Sequence, residues 1–141
     1  MIRTATVQDI PRMVEMGERF RHDSTYGTRF AKNPKQMAVL AEKLIAKDSA
    51  LLAERDGKVI GMLGYIVYEH FVSGETFAGE VFWWVEPEFA GDGPRLMREA
   101  EKRAKQAGAV EMQMIAPTEK VAKFYERCNY AFVESTYQKT L

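Results

Sequence analysis

The chain has 141 residues, 46% of them hydrophobic and 28% charged, enough for one domain over residues 1–141 with a core of its own. Lys and Arg together number 20 and so do Asp and Glu, so the charge balance points to neither nucleic acid nor a membrane surface. Cys128 is the only cysteine, which excludes an internal disulfide and fits a reducing, cytoplasmic setting. No apolar run approaches the ~20 residues that span a bilayer, Met1-Ile2-Arg3-Thr4 does not open a signal peptide, and no His, Cys and carboxylate cluster has metal-ligand spacing.

Residues 2–5 read as a short edge strand. Thr6 or Asp9 can cap a helix in which Ile10, Met13, Val14, Gly17 and Phe20 share a face. Residues 21–32 form a polar stretch with His22, Asp23, Ser24, Tyr26, Gly27 and Arg29, read as a solvated connection in preference to a role in holding substrate. Asn33 then caps a second helix, with Pro34 in its first turn, Gln36 at the capping-box position and Met37, Leu40, Ala41, Leu44 and Ile45 as its buried stripe. Two strands follow, residues 50–54 and 59–68, joined by Asp56-Gly57, a strong hairpin signal. Gly61 and Gly64 inside the second strand indicate a bulge or a close approach of other atoms. His70 lies in the next loop, where a lone histidine is structural or solvated unless it works at a site.

Residues 77–85 form a third strand. Glu80 interrupts a segment that otherwise reads as buried. A carboxylate there is paired, hydrogen-bonded or raised in pKa, so it is either a salt bridge at the end of the sheet or a general base. The strand runs into Gly91 and Gly93, and Pro94 opens a helix with Leu96, Met97, Ala100, Ala104 and Ala107 on one face and Gly108 as its stop. The first N–H groups of that helix have no partner within it, and its dipole puts positive charge there. Strand, glycine loop and helix start together suit an anion such as a phosphate, with the glycines leaving room and tolerating positive φ. Neither a P-loop nor a G-x-G-x-x-G pattern is present. Residues 110–115 are a further strand, residues 118–127 a last helix stopped by Asn129, and residues 130–141 a closing strand or pair of strands.

Two stretches resemble motifs of the GCN5-related N-acetyltransferase (GNAT) family. Val85-Glu86-Pro87-Glu88-Phe89, running on to Ala90-Gly91-Asp92-Gly93, is similar to motif A, in which V-x-P-E-[YF] leads into [QR]-x-x-G-x-[GA]. Glu88 stands where the family has Gln or Arg, and Asp92 places a carboxylate between the glycines. Ala122-Lys123-Phe124-Tyr125-Glu126-Arg127-Cys128-Asn129-Tyr130 is similar to motif B, A-x-x-[FL]-Y-[EK]-x-x-G-F, with Asn for Gly and Tyr for Phe. Glu80-Val81-Phe82-Trp83-Trp84-Val85 resembles the strand on which some members carry a glutamate base.

The resemblance implies an α/β fold, a three-layer sandwich with a mixed central sheet flanked by helices. It implies transfer of the acetyl group of acetyl-CoA to a primary amine, small-molecule or peptide, by direct attack in a ternary complex without a metal. By position Glu80 is the base and Tyr125 the acid, the alternative for Tyr125 being core packing with a hydrogen-bonded hydroxyl. Backbone at Trp83 and Val85, the loop Ala90, Gly91, Asp92 and Gly93, and Arg95 would hold the co-substrate. Tyr65, Tyr68, Phe71, Trp83 and Trp84 are aromatic candidates for an acceptor pocket, or are simply core. The acidic residues Glu88, Asp92 and Glu119 keep a second reading open, an inactive binding or regulatory module of the same fold. A homodimer through a sheet edge or the terminal strands is a further expectation that no single residue fixes.

Overall fold

Asp56 and Gly57 both take positive φ, 50° and 74°, the paired left-handed turn whose twist matches that of the strands it joins. In the computed structural model, which describes residues 1–141, that turn connects β2 (Ala50–Arg55) to β3 (Lys58–Glu69). With β1 (Ile2–Thr4), β4 (Thr76–Val85) and β5 (Glu111–Gln113) they form one sheet in the order β1-β2-β3-β4-β5. The first three pairings are antiparallel, and β4 with β5 is parallel. The sheet is therefore mixed, as expected.

Helices α1 (Ile10–His22) and α2 (Pro34–Ile45) cover one face. Met13 and Met16 of α1 and Ala41 and Leu44 of α2 pack there on Ala50, Leu52, Met62 and Phe82. Helices α3 (Gly93–Gln106) and α4 (Glu119–Arg127) cover the other, where Leu96, Met97, Ala100, Ala104 and Tyr125 pack on Leu51, Ala53, Leu63 and Ala78. Alternation along each strand sends neighbouring residues to opposite cores, so Leu51 and Leu52 belong to different layers. Full burial of side chains such as Leu96 or Met97 contributes about 1.5–3 kcal/mol each.

The helix ends follow the sequence. The Asn33 side chain accepts from the Gln36 N–H at 3.1 Å, and Thr118 caps α4 by accepting from the Val121 N–H. Gly108 and Asn129, at φ 93° and 67°, stop α3 and α4 in the left-handed conformation. One difference is that α1 is preceded by a tight turn at Val7–Asp9, where the Asp9 carboxylate accepts from the Thr6 N–H.

The closing strand expected over residues 130–141 is absent. Tyr130 is tied to α3 by its hydroxyl, which donates to Glu101 at 2.7 Å, and the chain beyond it has no regular structure. Tyr137 is 94% exposed, and Gln138 donates to the Arg29 carbonyl. Strand propensity needs a backbone neighbour, and the only sheet edge nearby, β5, is three residues long.

Candidate active site

The sheet opens where β5 leaves β4. Their pairing covers Phe77 with Glu111, Ala78 with Met112 and Gly79 with Gln113, and stops. β4 continues to Val85, paired only with β3, through Trp83 with Leu63 and Val85 with Gly61. From Glu80 onward its other edge has no strand beside it.

Glu80 is the first residue past the last pair. Its Oε2 accepts from the Ile115 N–H at 3.0 Å, across the opening. A bulge aims it there. Tyr65 pairs with Glu80 but Gly64 with Phe82, which leaves Val81 as an extra residue. The extra residue inverts the alternation. Ala78 and Trp83 pack with the α3–α4 layer, whereas Val81, Phe82 and Trp84 pack with the α1–α2 layer. Glu80 makes no ion pair, so the salt-bridge reading does not hold. Burial pushes its carboxyl up to about 7, with the Ile115 N–H pulling the other way.

Tyr125 comes to the same place from α4. It is 5% exposed, and its hydroxyl donates to the Ile115 carbonyl at 3.1 Å. Its ring stacks on Trp83 with centroids 6.0 Å apart and planes 22° from parallel. Burial, and then the Glu80 charge, raise its pKa well above the ordinary phenol value. Glu80 and Tyr125 thus engage the N–H and the C=O of one residue, with the first group poised near neutrality and the second holding its proton.

Between them lies a pocket of about 90 Å³. Its walls come from both layers: Phe20, Tyr26 and Val81 from the α1 side, Trp83, Val121 and Tyr125 from the α3–α4 side. The pocket sits at the gap in the sheet. Nothing in the sequence pattern marks Phe20 or Tyr26 for it. Tyr26 sits in the turn Thr25–Thr28, held 5.4 Å from the Phe20 ring, and is the one residue of 21–32 that lines the pocket. Of the aromatic candidates only Trp83 lines it. Tyr65 is core, Tyr68 donates to Gln113 at 2.6 Å, Phe71 is 90% exposed, and Trp84 packs under α1 with Arg19 over its ring. His70 stacks on Phe71 and Phe77 at the far end of the β3–β4 hairpin, away from the pocket.

The turn Pro87–Asp92 leads directly into α3. Neither glycine uses positive φ, and only Gly93 is short of space within the fold. A Cβ on Gly93 would lie 3.1 Å from Trp83 Cζ2, while one on Gly91 would meet nothing within 4 Å, so the surface over Gly91 is open. Asp92 is 3% exposed at the helix start. It accepts from Arg55 at 2.6 Å and from Arg95 at 3.1 Å, and the Arg55 hydrogen bonds hold its carboxyl below the usual range. Two half-exposed guanidiniums therefore neutralise Asp92 at the amino end of α3, with the exposed Glu88 in the same turn and Asp56 acting on Arg55. Arg55 was invisible in the sequence, since it reaches Asp92 from the end of β2. Glu86, also buried, pairs with Arg12 at 2.8 Å and with Arg19, fastening the start of the turn to α1. No three His, Cys, Asp or Glu side chains gather as a metal site.

A profile of the acetyltransferase (GNAT) family matches residues 15–130. The chain belongs to the GNAT acetyltransferase family. Solved structures agree on the fold of this acetyltransferase. A transcriptional regulator from Bacillus halodurans C-125 is 22% identical with a TM-score of 0.77, over 100% of this chain and 99% of that one. A ribosomal-protein-alanine N-acetyltransferase from Brucella melitensis biovar Abortus 2308 is 18% identical with a TM-score of 0.74, over 100% and 98%. An aminoglycoside acetyltransferase from an uncultured soil metagenomic sample, solved with sisomicin, is 17% identical with a TM-score of 0.75, over 100% and 95%. No curated protein sequence matches the chain. The family's enzymes are N-acetyltransferases with acetyl-CoA as co-substrate. No helix of this acetyltransferase is long and apolar enough to cross a membrane.

Proposed function

We propose that this acetyltransferase moves the acetyl group of acetyl-CoA to a primary amine by direct attack within a ternary complex. The observation that carries the reading is the convergence of Glu80 and Tyr125 on Ile115, at a pocket beside an unpaired β4 edge. Acetyl-CoA would supply an acetyl group already activated as a thioester.

The residues present fit that co-substrate. Amides of Ala90, Gly91 and Asp92 at the amino end of α3, with Arg95 and Arg55, would hold the pyrophosphate; the Gly93 N–H already donates to the Ala90 carbonyl and would have to be released to join them, and the open surface at Gly91 lets a ligand approach the backbone. The free edge of β4 at Trp83 and Val85 would pair with the pantetheine amides. Glu80 takes the proton from the incoming amine, which attacks only as the neutral base. Tyr125 keeps its proton at neutral pH and delivers it to the departing sulfur. The inactive-module reading loses much of its motive, because Asp92 is compensated by two guanidiniums, Glu88 is exposed, and Glu119 pairs with Lys123.

Calorimetric titration tests the reading. Acetyl-CoA is expected to bind with micromolar affinity and NADH not at all, and Arg55→Ala should weaken acetyl-CoA by roughly tenfold, since charge-assisted hydrogen bonds are worth about 1.5–3 kcal/mol. Absence of acetyl-CoA binding would overturn it. Gly91→Ala gives a second check. It is expected to leave thermal stability within about 0.5 kcal/mol, because the added methyl meets nothing, while weakening acetyl-CoA through the methyl in the ligand's path. Equal affinity would take Gly91 out of the site.

A further inference from the structure

The pocket at the opening of the sheet has one ionisable acid, Glu80, and no lysine or arginine among the residues that line it. The rest of its surface is apolar or aromatic, with Phe20, Tyr26, Trp83 and Tyr125 around the carboxylate. One carboxylate can meet one ammonium group. A second cationic centre on the same molecule would lie against apolar walls without a partner, which is costly. The segment that carries Phe20 and Tyr26 makes this worse for a polycation, because residues 18–32 hold four Lys or Arg side chains against two acidic ones. A phosphate or carboxylate on the acceptor would meet Glu80 inside the pocket and no cation among the residues that line it, so only a group left outside, near residues 18–32, would find positive charge. Aromatic faces, in contrast, attract a single ammonium and bury an apolar body.

Size narrows the class. The pocket holds about 90 Å³, below the roughly 150 Å³ of a closed cavity that admits benzene, and the Phe20 and Tyr26 rings on its α1 side are in contact, 5.4 Å between centroids, so an acceptor's body must be compact or extend beyond the pocket past these two rings. Tyr26 faces the carboxylate from the α1 side as Tyr125 does from the other. Burial, and secondarily the Glu80 charge, raise the pKa of the Tyr26 phenol.

We infer that the acceptor is a small primary amine bearing one positive charge on a compact apolar or aryl body, with its ammonium at Glu80 and its body against Phe20 and Tyr26. This rests on the acetyl-transfer reading of the same site. It separates this chain from acceptors that carry several amines or a phosphate.

The test uses the full chain with 2-phenylethylamine as the probe, and spermidine, sisomicin, glucosamine 6-phosphate and an alanine-initiated peptide as competitors. Thiol release with acetyl-CoA gives kcat/KM for each, and quenching of the tryptophan signal, to which Trp83 contributes, gives amine binding without any co-substrate. The expected result is a kcat/KM for 2-phenylethylamine at least tenfold above every competitor. Tyr26→Ala and Phe20→Ala should each raise its KM by about tenfold with the Kd of acetyl-CoA unchanged. Tyr26 lies in a surface turn, so its variant keeps the test valid if Phe20→Ala loses the fold. A polyamine, sugar phosphate or peptide used as well as 2-phenylethylamine overturns the acceptor class and leaves acetyl transfer standing. Quenching by 2-phenylethylamine without acetyl-CoA binding supports the pocket's preference for such an amine and overturns transfer instead. Neither amine binding nor turnover overturns both.

Discussion

Glu80→Gln is expected to lower kcat by about 10²–10⁴-fold while making the protein more stable at pH 8. The two effects share one cause. Burial raises the Glu80 carboxyl from the ordinary 4.5 to about 7, so ionising it in the folded protein is unfavourable. Between those values the unfolded chain has released a proton that the folded chain still holds. Stability therefore falls as pH rises from about 4.5 to about 7 and levels off above. After allowance for partial exposure, the loss is about 1–3 kcal/mol. Glutamine removes that slope and can still accept the Ile115 N–H, so the variant should melt higher at pH 8 by about 2–4 °C per kcal/mol. In wild type, kcat/KM should rise with pH through about 7 as the base ionises, and in the variant that limb should vanish. Tyr125→Phe belongs to the same series: turnover should fall with acetyl-CoA affinity retained, and about 1 kcal/mol of stability should go with the bond to the Ile115 carbonyl. A Glu80→Gln enzyme with wild-type rate and an unchanged pH limb would remove Glu80 from the chemistry.

Gly64→Ala should be the most damaging single methyl in the chain. A Cβ there would lie 2.5 Å from Phe82 Cζ and 2.8 Å from Leu44 Cδ1, both belonging to side chains fixed in the α1–α2 core. Overpacking of this kind costs about 1–3 kcal/mol, and Gly64→Val should exceed it. Thermal denaturation should show a drop of about 5–10 °C for the alanine variant. Activity should fall as well, because Gly64 with Phe82 is the last regular pair before the bulge that aims Glu80. A Gly64→Ala protein that melts with wild type would mean that Phe82 and Leu44 move aside without loss.

Features encoded by neighbouring residues were legible in the sequence. Asn33 as a cap, Asp56 with Gly57, and the stops at Gly108 and Asn129 are local devices, and each appears as read, although the Gln36 side chain does not return the bond that would complete a capping box. The glycines inside β3 announced a close approach, and Gly64 makes one. The oddity of Glu80 was also readable, since a carboxylate set in an apolar run is anomalous from its neighbours in the chain alone. What escaped depends on partners far along the chain. Arg55 meets Asp92, and Arg12 and Arg19 meet Glu86, only after the sheet and α1 have come together. The extra residue at Val81 is a matter of register with β3, which composition does not carry. Residues 130–141 show the opposite failure: a strand-like pattern that finds no edge long enough to pair with.

The two hydrophobic cores lie on opposite sides of the sheet and share no buried side chain. One consequence concerns how such a protein can change. Distant sites without common partners combine their stability effects additively, within about 0.3–0.5 kcal/mol. Substitutions in the core under α1 and α2 should therefore add to those under α3 and α4, except at Arg12 and Arg19, whose pairs with Glu86 tie the turn that carries Gly91 to α1. The two layers therefore offer largely separate ground for remodelling and meet at the pocket, whose walls come from both. Directed evolution toward a new acceptor can be confined to residues such as Phe20 and Tyr26, with Gly64 and Phe82 left untouched as the hinge of register between the layers.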